Sequence, residues 1–249
     1  VLGTAPSSLA VEVDGAQAQT LTLAPGAHSV RLQAVAAAAG MGAGGFSQLR
    51  LRVDSGRVQI DGYAPRYTQA PSLVLDVFGI PGAVAKSWHS AQPEGWQQLP
   101  RAYDLLVLEY GTNEGADAHF SATQYQASLR RTLGQLRTAY PKTPCLLIGP
   151  TDRGVLPSQG QTRLLPSAAL RYSQVHAQIA SVQRELAADF SCGFWDWQAS
   201  MGGMLGAYHW YAASPKLMAK DLIHLSVQGY QRSGQQLVAD MQLRTWLAP

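Results

Sequence analysis

The chain has 249 residues, 46% of them apolar and only 14% charged, which is enough to bury a sizeable core and excludes a disordered polyampholyte. Lys+Arg 19 against Asp+Glu 16 gives a net charge of +3 with the basic residues scattered, which is no footprint for nucleic acid. The longest apolar stretches, such as the Ala-rich segment Ala34 to Ala39, are far shorter than the ~18 residues of a membrane span.

Residues 1 to 65 read as short strands. Val11 and Val13, Leu21 and Leu23, Val30 and Leu32, Leu49, Leu51 and Val53, then Val58 and Ile60 alternate with polar residues at period two. Asp14-Gly15, Pro25-Gly26 and Asp54-Ser55-Gly56 supply turns, and a glycine-rich stretch runs from Gly40 to Gly45. The pattern predicts a small antiparallel β-sandwich.

From about Ser72 the pattern changes. Leu73–Phe78, Leu105–Tyr110, Cys145–Ile148 and Phe194–Trp197 are compact apolar runs of the kind found in parallel strands buried on both faces. Helical stripes alternate with them. Ser121 and Gln124 form a capping box ahead of Tyr125, Leu129, Leu133 and Leu136, and Pro141 stops that helix. Tyr172, Val175, Ile179, Val182 and Leu186 make a second stripe, and Tyr230, Gly234, Leu237 and Met241 a third. The expectation is an α/β domain over residues 66–249 following the β-domain of 1–65. The chain holds two cysteines, Cys145 and Cys192; two buried free thiols are the favoured reading, with one bridge between them left open. Val1 leads straight into turn-and-strand sequence with no basic stretch or apolar run of an export signal, as in a processed chain or one whose start lies elsewhere.

In parallel α/β sheets, function collects at the carboxyl ends of the strands. Four loops qualify: Gly79-Ile80-Pro81-Gly82, Gly111-Thr112-Asn113-Glu114, Gly149-Pro150-Thr151-Asp152-Arg153, and Asp221-Leu222-Ile223-His224 before the last helix. Asp221 and His224, three apart, suit a carboxylate that orients an imidazole base. Asn113 offers an amide donor and Gly82 an open backbone N–H, the two parts of an oxyanion hole. Singly, each is more often a helix cap or a turn residue.

Taken in this order, the blocks resemble the SGNH (GDSL-type) hydrolase family. Gly79-Ile80-Pro81-Gly82-Ala83 looks like the block with the oxyanion glycine, Gly111-Thr112-Asn113-Glu114 like the block with the oxyanion asparagine, and Asp221 to Leu225 with Gly229-Tyr230 like the block with the catalytic pair. Phe194-Trp195-Asp196 and Met201-Gly202-Gly203 are similar to a subset of peptidoglycan O-acetylesterases, in which a sandwich resembling a carbohydrate-binding module is inserted after the first block. The resemblance implies a three-layer parallel sheet and a serine esterase that removes acetyl groups from a polysaccharide such as cell-wall glycan, in the periplasm or secreted. It implies no metal or organic cofactor, and an acetylated glycan as partner.

The family's Gly-Asp-Ser block is absent. Ser55, in Val53-Asp54-Ser55-Gly56, sits between alternating strands and reads as a turn residue; Ser87 and Ser90 suit a helix end or loop. In the family the nucleophile's strand lies between those matched by Leu73–Phe78 and Leu105–Tyr110, so its loss leaves two apolar edges facing a gap. The expectation is a first strand, serine and helix supplied upstream or by a companion chain. The alternatives are a glycan-binding relative without the serine, and a lipase or thioesterase of the same fold. Among the remaining candidates, His28, His89, His119 and His209 read as surface or packing residues and His176 as lying off its helix's apolar stripe. Trp88, Trp195, Trp197, Trp210 and Tyr211 read as core, with a sugar platform open for Trp88, Trp210 and Tyr211. Asp196 reads as a cap, Glu114 as orienting its loop or facing water, and Asp152 and Arg153 as edge residues of a substrate site.

Overall fold

The structure is a computed structural model that describes residues 1, 4–13, 19–31, 48–60, 73–90, 102–157 and 166–243. It divides into two compact units, Val1–Val74 and Leu75–Pro249.

In the first unit, β1 (Ser7–Val13), β2 (Gln19–Leu23) and β3 (Leu49–Ser55) form one antiparallel sheet in the order β2-β1-β3. Leu9 faces Leu21 on one side and Val53 on the other, and Leu9, Ala10 and Val11 are buried because β1 is the central strand. The alternation at Val11, Leu21, Leu51 and Val53 therefore marks real strands. Two of the expected strands do not form among the described residues. Residues 27–31, including Val30, and residues 57–60, with Val58 and Ile60, carry no strand, and Ile60 is exposed. Leu32 and the glycine-rich 40–45 lie outside the described residues. Among the described residues the unit has one sheet, without the second layer of a sandwich. Ser55 is the last residue of β3, and the turn begins at Gly56, whose φ of +81° suits glycine.

The second unit is built on a parallel sheet of β4 (Leu106–Glu109), β5 (Cys145–Ile148) and β6 (Gly193–Trp195), in the order β4-β5-β6. Its helices are α1 (Ala122–Ala139), α2 (Pro166–Asp189), α3 (Trp197–Ser200), α4 (Gly206–Ala212) and α5 (Val227–Asp240). Side chains alternate across the sheet. Leu108 and Leu147 point to one face, where Leu129, Leu133, Leu136, Ile179 and Leu186 of α1 and α2 close over them. Leu146, Ile148 and Trp195 point to the other, against Leu237 of α5 and Met241 beyond it. Helices on both faces of a parallel sheet make a three-layer α/β/α core, in which each fully buried leucine contributes about 1.5–3 kcal/mol.

Ser121 caps α1 by accepting from the Gln124 N–H, the N-cap half of the expected box, and Tyr125, Leu129, Leu133 and Leu136 form the buried face of α1. Other expectations need correction. Leu75 and Val77 are 78% and 76% exposed and no residue of 73–80 lies in a strand, because β4 pairs with β5 alone among the described residues. His176 is fully buried, since the buried stripe of α2 turns from Ile179 and Val182 onto Ser173 and His176. On α5 the buried residues are Gly229 and Ser233, while Tyr230 is half exposed and Gly234 exposed. Gly229 lies inward because a Cβ there would come within 1.9 Å of the Leu217 carbonyl oxygen. Cys145 and Cys192 are joined in a disulfide rather than held as free thiols, tying the start of β5 to the turn between α2 and β6. The Arg137 guanidinium braces that corner by donating to the carbonyls of Thr143 and Phe190.

Candidate active site

The chain leaves β4 at Gly111, whose φ is +123° and whose missing side chain lets Pro150 and Ile179 approach. It then tightens into a 3-10 turn at Glu114–Ala116, closed by a bond from Gly115 N–H to Gly111 O of 2.8 Å. Asn113 at the head of this turn is exposed and donates one amide hydrogen to Ala83 O at 2.8 Å. The second hydrogen of that amide is left for a ligand. Gly82, the residue before Ala83, has φ +78°, and a side chain there would meet nothing within 4 Å. The 80–83 turn and the 111–115 turn therefore lie against each other, bringing Gly82 and Asn113 to one place.

Glu114 holds this junction. Its Oε1 accepts from Ala85 N–H at 2.7 Å and its Oε2 from Gly111 N–H at 3.0 Å. One carboxylate thus clasps the backbones of both turns with charge-assisted bonds. From the other side Thr132 of α1 donates to Ala85 O. Sequence reasoning left Glu114 between orienting its loop and facing water; the structure gives it the first role.

At the end of β5, Asp152 is fully buried. Oδ1 accepts from Ser173 Oγ and Gln198 Nε2, and Oδ2 from Ala207 N–H, at 2.6, 2.8 and 2.9 Å. It braces α2, α3 and α4 against the strand end and is not at the edge of a site. His176 bonds Thr151 O through Nδ1 at 2.6 Å, so Nδ1 carries the proton and Nε2 is a bare, buried acceptor. A Cβ at residue 115 would come within 2.3 Å of this imidazole, so Gly115 is what lets the ring lie under the Asn113 turn. Burial foremost, with the Arg153 charge adding to it, holds His176 below the ordinary imidazole range, against the pull of Thr151 O and Asp152. His176 is neutral at pH 7 and acts as packing.

The Asp221–His224 loop is shaped by Leu222, a buried side chain whose backbone takes the left-handed φ of +57°. That bend folds Asp221 back over the loop. Oδ1 accepts from the N–H groups of Ile223 and His224, at 2.9 and 3.0 Å, and Oδ2 accepts from His224 Nδ1 at 2.7 Å. Desolvation pushes the Asp221 carboxyl up, but the bonds from the His224 ring and from the two backbone N–H groups outweigh it and hold the pKa at about 2. The carboxylate is ionised at neutral pH, fixes the proton on Nδ1, and leaves Nε2 as the basic nitrogen. The loop is tied to the segment that follows β5 by Gly154 N–H donating to Leu222 O at 2.9 Å. Ser226 then caps α5 by accepting from Gly229 N–H.

The structure thus unites Gly82 with Asn113 after β4, and Asp221 with His224 on a loop bonded to the segment that follows the adjoining β5. Trp210 is buried in the cluster of Met201, Met218 and Leu222, and Asp196 caps α3 through Ala199 N–H, as expected of core and cap residues. Trp88 donates to Tyr110 Oη and His89 bonds Ser128 O, so both pack against the α1 layer.

The sequence profile of the GDSL-like lipase/acylhydrolase family matches residues 37–232. The chain belongs to this family. Its fold is similar to that of a solved peptidoglycan O-acetylesterase, with 25% identity and a TM-score of 0.54 over 67% of this chain and 45% of that one. The chain therefore spans less than half of that protein's length. An acetyl xylan esterase is 18% identical over 67% of this chain and 78% of that one, with a TM-score of 0.42. A carbohydrate acetylesterase from Sinorhizobium meliloti is 17% identical over 64% and 67%, also at 0.42. These two are too distant to inform the chemistry. No curated protein matches the chain.

Proposed function

We propose that this family member is a serine esterase that removes O-acetyl groups from a polysaccharide, with cell-wall glycan as the substrate class. The reading is carried by the His224–Asp221 pair, whose 2.7 Å bond fixes the tautomer of a base on a loop tied to the segment that follows β5, the strand next to the one that presents Asn113. The similarity to a peptidoglycan O-acetylesterase supports the choice of acyl group and substrate.

In the reaction, His224 Nε2 takes the proton of a serine hydroxyl as its oxygen bonds to the acetyl carbonyl carbon. The oxygen that gains the negative charge is met by Gly82 N–H and the free Asn113 amide hydrogen, each donor contributing about 3–4 kcal/mol to the transition state. Asp221 stabilises the imidazolium. Collapse breaks the bond to the sugar oxygen, which leaves with the proton from His224. Water, deprotonated by the same nitrogen, then releases acetate and restores the serine.

The serine is contributed by a strand outside residues 1–249. Among the described residues β4 pairs on one side alone, Val107 is 49% exposed and Leu75 and Val77 are exposed; these support this, since apolar strand segments are stable only when paired and covered. The Cys145–Cys192 disulfide supports an exported enzyme, because such bonds persist in oxidising compartments. The test is His224→Ala in the full-length protein, assayed on acetylated glycan and on 4-nitrophenyl esters of increasing acyl length. A fall in kcat of about 10³-fold or more, with acetyl preferred, is expected. A loss under tenfold removes the base, and activity confined to long acyl chains replaces the acetylesterase with a lipase.

A further inference from the structure

The ring of Tyr172, in the second turn of α2, carries two guanidinium groups: Arg153 Cζ lies 4.4 Å and Arg171 Cζ 5.5 Å from its centroid. In this unit Arg130 pairs with Asp189 and Arg184 with Asp196, Arg137 donates to backbone carbonyls, and Arg232 lies singly over Trp210; only Tyr172 carries two guanidinium groups among the described residues. Arg153 and Arg171 have no acidic partner among the described residues. Asp152, next in sequence to Arg153, instead directs its oxygens to Ser173, Gln198 and Ala207. Arg153 Nε is moreover buried with no hydrogen-bond partner, a cost of about 1–3 kcal/mol that a fold retains only for a reason.

The location gives the reason. Arg153 precedes Gly154, whose N–H holds the Asp221–His224 loop through Leu222 O. Tyr172 lies one helical turn before His176, the ring packed under the Asn113 turn at Gly115. Two positive charges with no acidic partner among the described residues therefore sit next to segments that hold both halves of the candidate site. With Arg153 Nε buried, the open part of its guanidinium is the pair of Nη groups, coplanar donors that match the two oxygens of a carboxylate, and stacking on the Tyr172 ring fixes their plane.

We infer that Arg153 and Arg171, carried on Tyr172, form an anion subsite that receives a carboxylate of the glycan next to the ester being cleaved. The inference rests on the esterase reading for the placement of substrate, and it narrows the substrate class to polysaccharides whose sugars carry carboxyl groups.

The test is calorimetric binding to the full-length protein, at low ionic strength, of a galacturonic acid trimer and of the same trimer with its carboxyls methyl-esterified. Wild type is expected to bind the acid about tenfold to hundredfold more tightly than the ester. Arg153→Gln should bring the two affinities together, and Arg153→Lys, with the charge but not the two-donor edge, should keep only part of the difference. If Arg153→Gln fails to fold, Arg171→Gln, at an exposed position, should still lower the preference. Equal affinities in wild type, or a preference untouched in the folded glutamine variants, overturns the subsite. Hydrolysis of neutral 4-nitrophenyl acetate by wild type is read separately: its absence overturns the esterase reading, while the acid-to-ester ratio still decides the subsite.

Discussion

Glu114→Gln changes one atom at the junction of the two turns that carry Gly82 and Asn113. In the native chain both carboxylate oxygens accept, from Ala85 N–H at 2.7 Å and from Gly111 N–H at 3.0 Å. The amide keeps one acceptor, now uncharged, and turns an NH₂ group toward the other N–H. One charge-assisted bond is lost and the other weakened, which costs about 2–3 kcal/mol. For a domain of this size the thermal midpoint should fall by about 4–10 °C, measured by calorimetry at neutral pH. Because the damage is local, amide exchange at Ala85 and Gly111 should quicken by roughly tenfold or more, while amides in α1 follow only the global change. A midpoint within about 1 °C of wild type, with unchanged exchange at both amides, would mean the carboxylate faces water and the two turns are held by something else.

Two further outcomes follow from the same geometry. The cysteines lie 47 residues apart, so loop closure gives their bridge up to about 4 kcal/mol; paired serine replacement should lower stability by roughly 2–4 kcal/mol in denaturant titrations. Asp221 has a folded pKa of about 2, below its ordinary 3.8, so the bonds around it add stability that is complete above pH ~4 and lost as pH falls through ~2. The stability difference between wild type and Asp221→Asn should therefore be full at pH about 4 and shrink as pH falls through ~2; a gap that persisted unchanged at pH ~2 would contradict the shift.

Much of this arrangement is legible in the amino-acid order because strand ends and turns have strict local requirements. The apolar runs ending at Tyr110 and Ile148, each followed by glycine, do become the C-terminal ends of adjacent parallel strands. Asp221 and His224 bond as their spacing suggests, since a three-residue separation lets a carboxylate fold back on a bent loop. What sequence pattern misreads depends on distant partners. Leu73–Phe78 is an apolar run like β4, but apolarity alone does not make a strand, and among the described residues this run pairs with no strand and Leu75 and Val77 stay exposed. His176 looks polar on a helical wheel, yet it is buried because Gly115, 61 positions away in sequence, leaves room for a ring. Tyr230 looks like core, yet α5 turns Gly229 inward because only glycine fits against the Leu217 carbonyl. Two cysteines carry no pairing signal until β5 and the turn between α2 and β6 are brought together. Glu114 differs: an acid directly after the exposed asparagine of a strand-end turn is a local signal for a backbone clasp, and could have been read as one.

The most direct test of the central claim is a structure of the full-length protein after reaction with a fluorophosphonate that traps serine esterases. The account predicts a single modified serine, contributed from outside residues 1–249. Its oxygen should lie within hydrogen-bonding distance of His224 Nε2, and the phosphoryl oxygen should be held by Gly82 N–H and Asn113 Nδ2. A protein that resists the reagent, or a modified serine remote from His224 and Asn113, would contradict it.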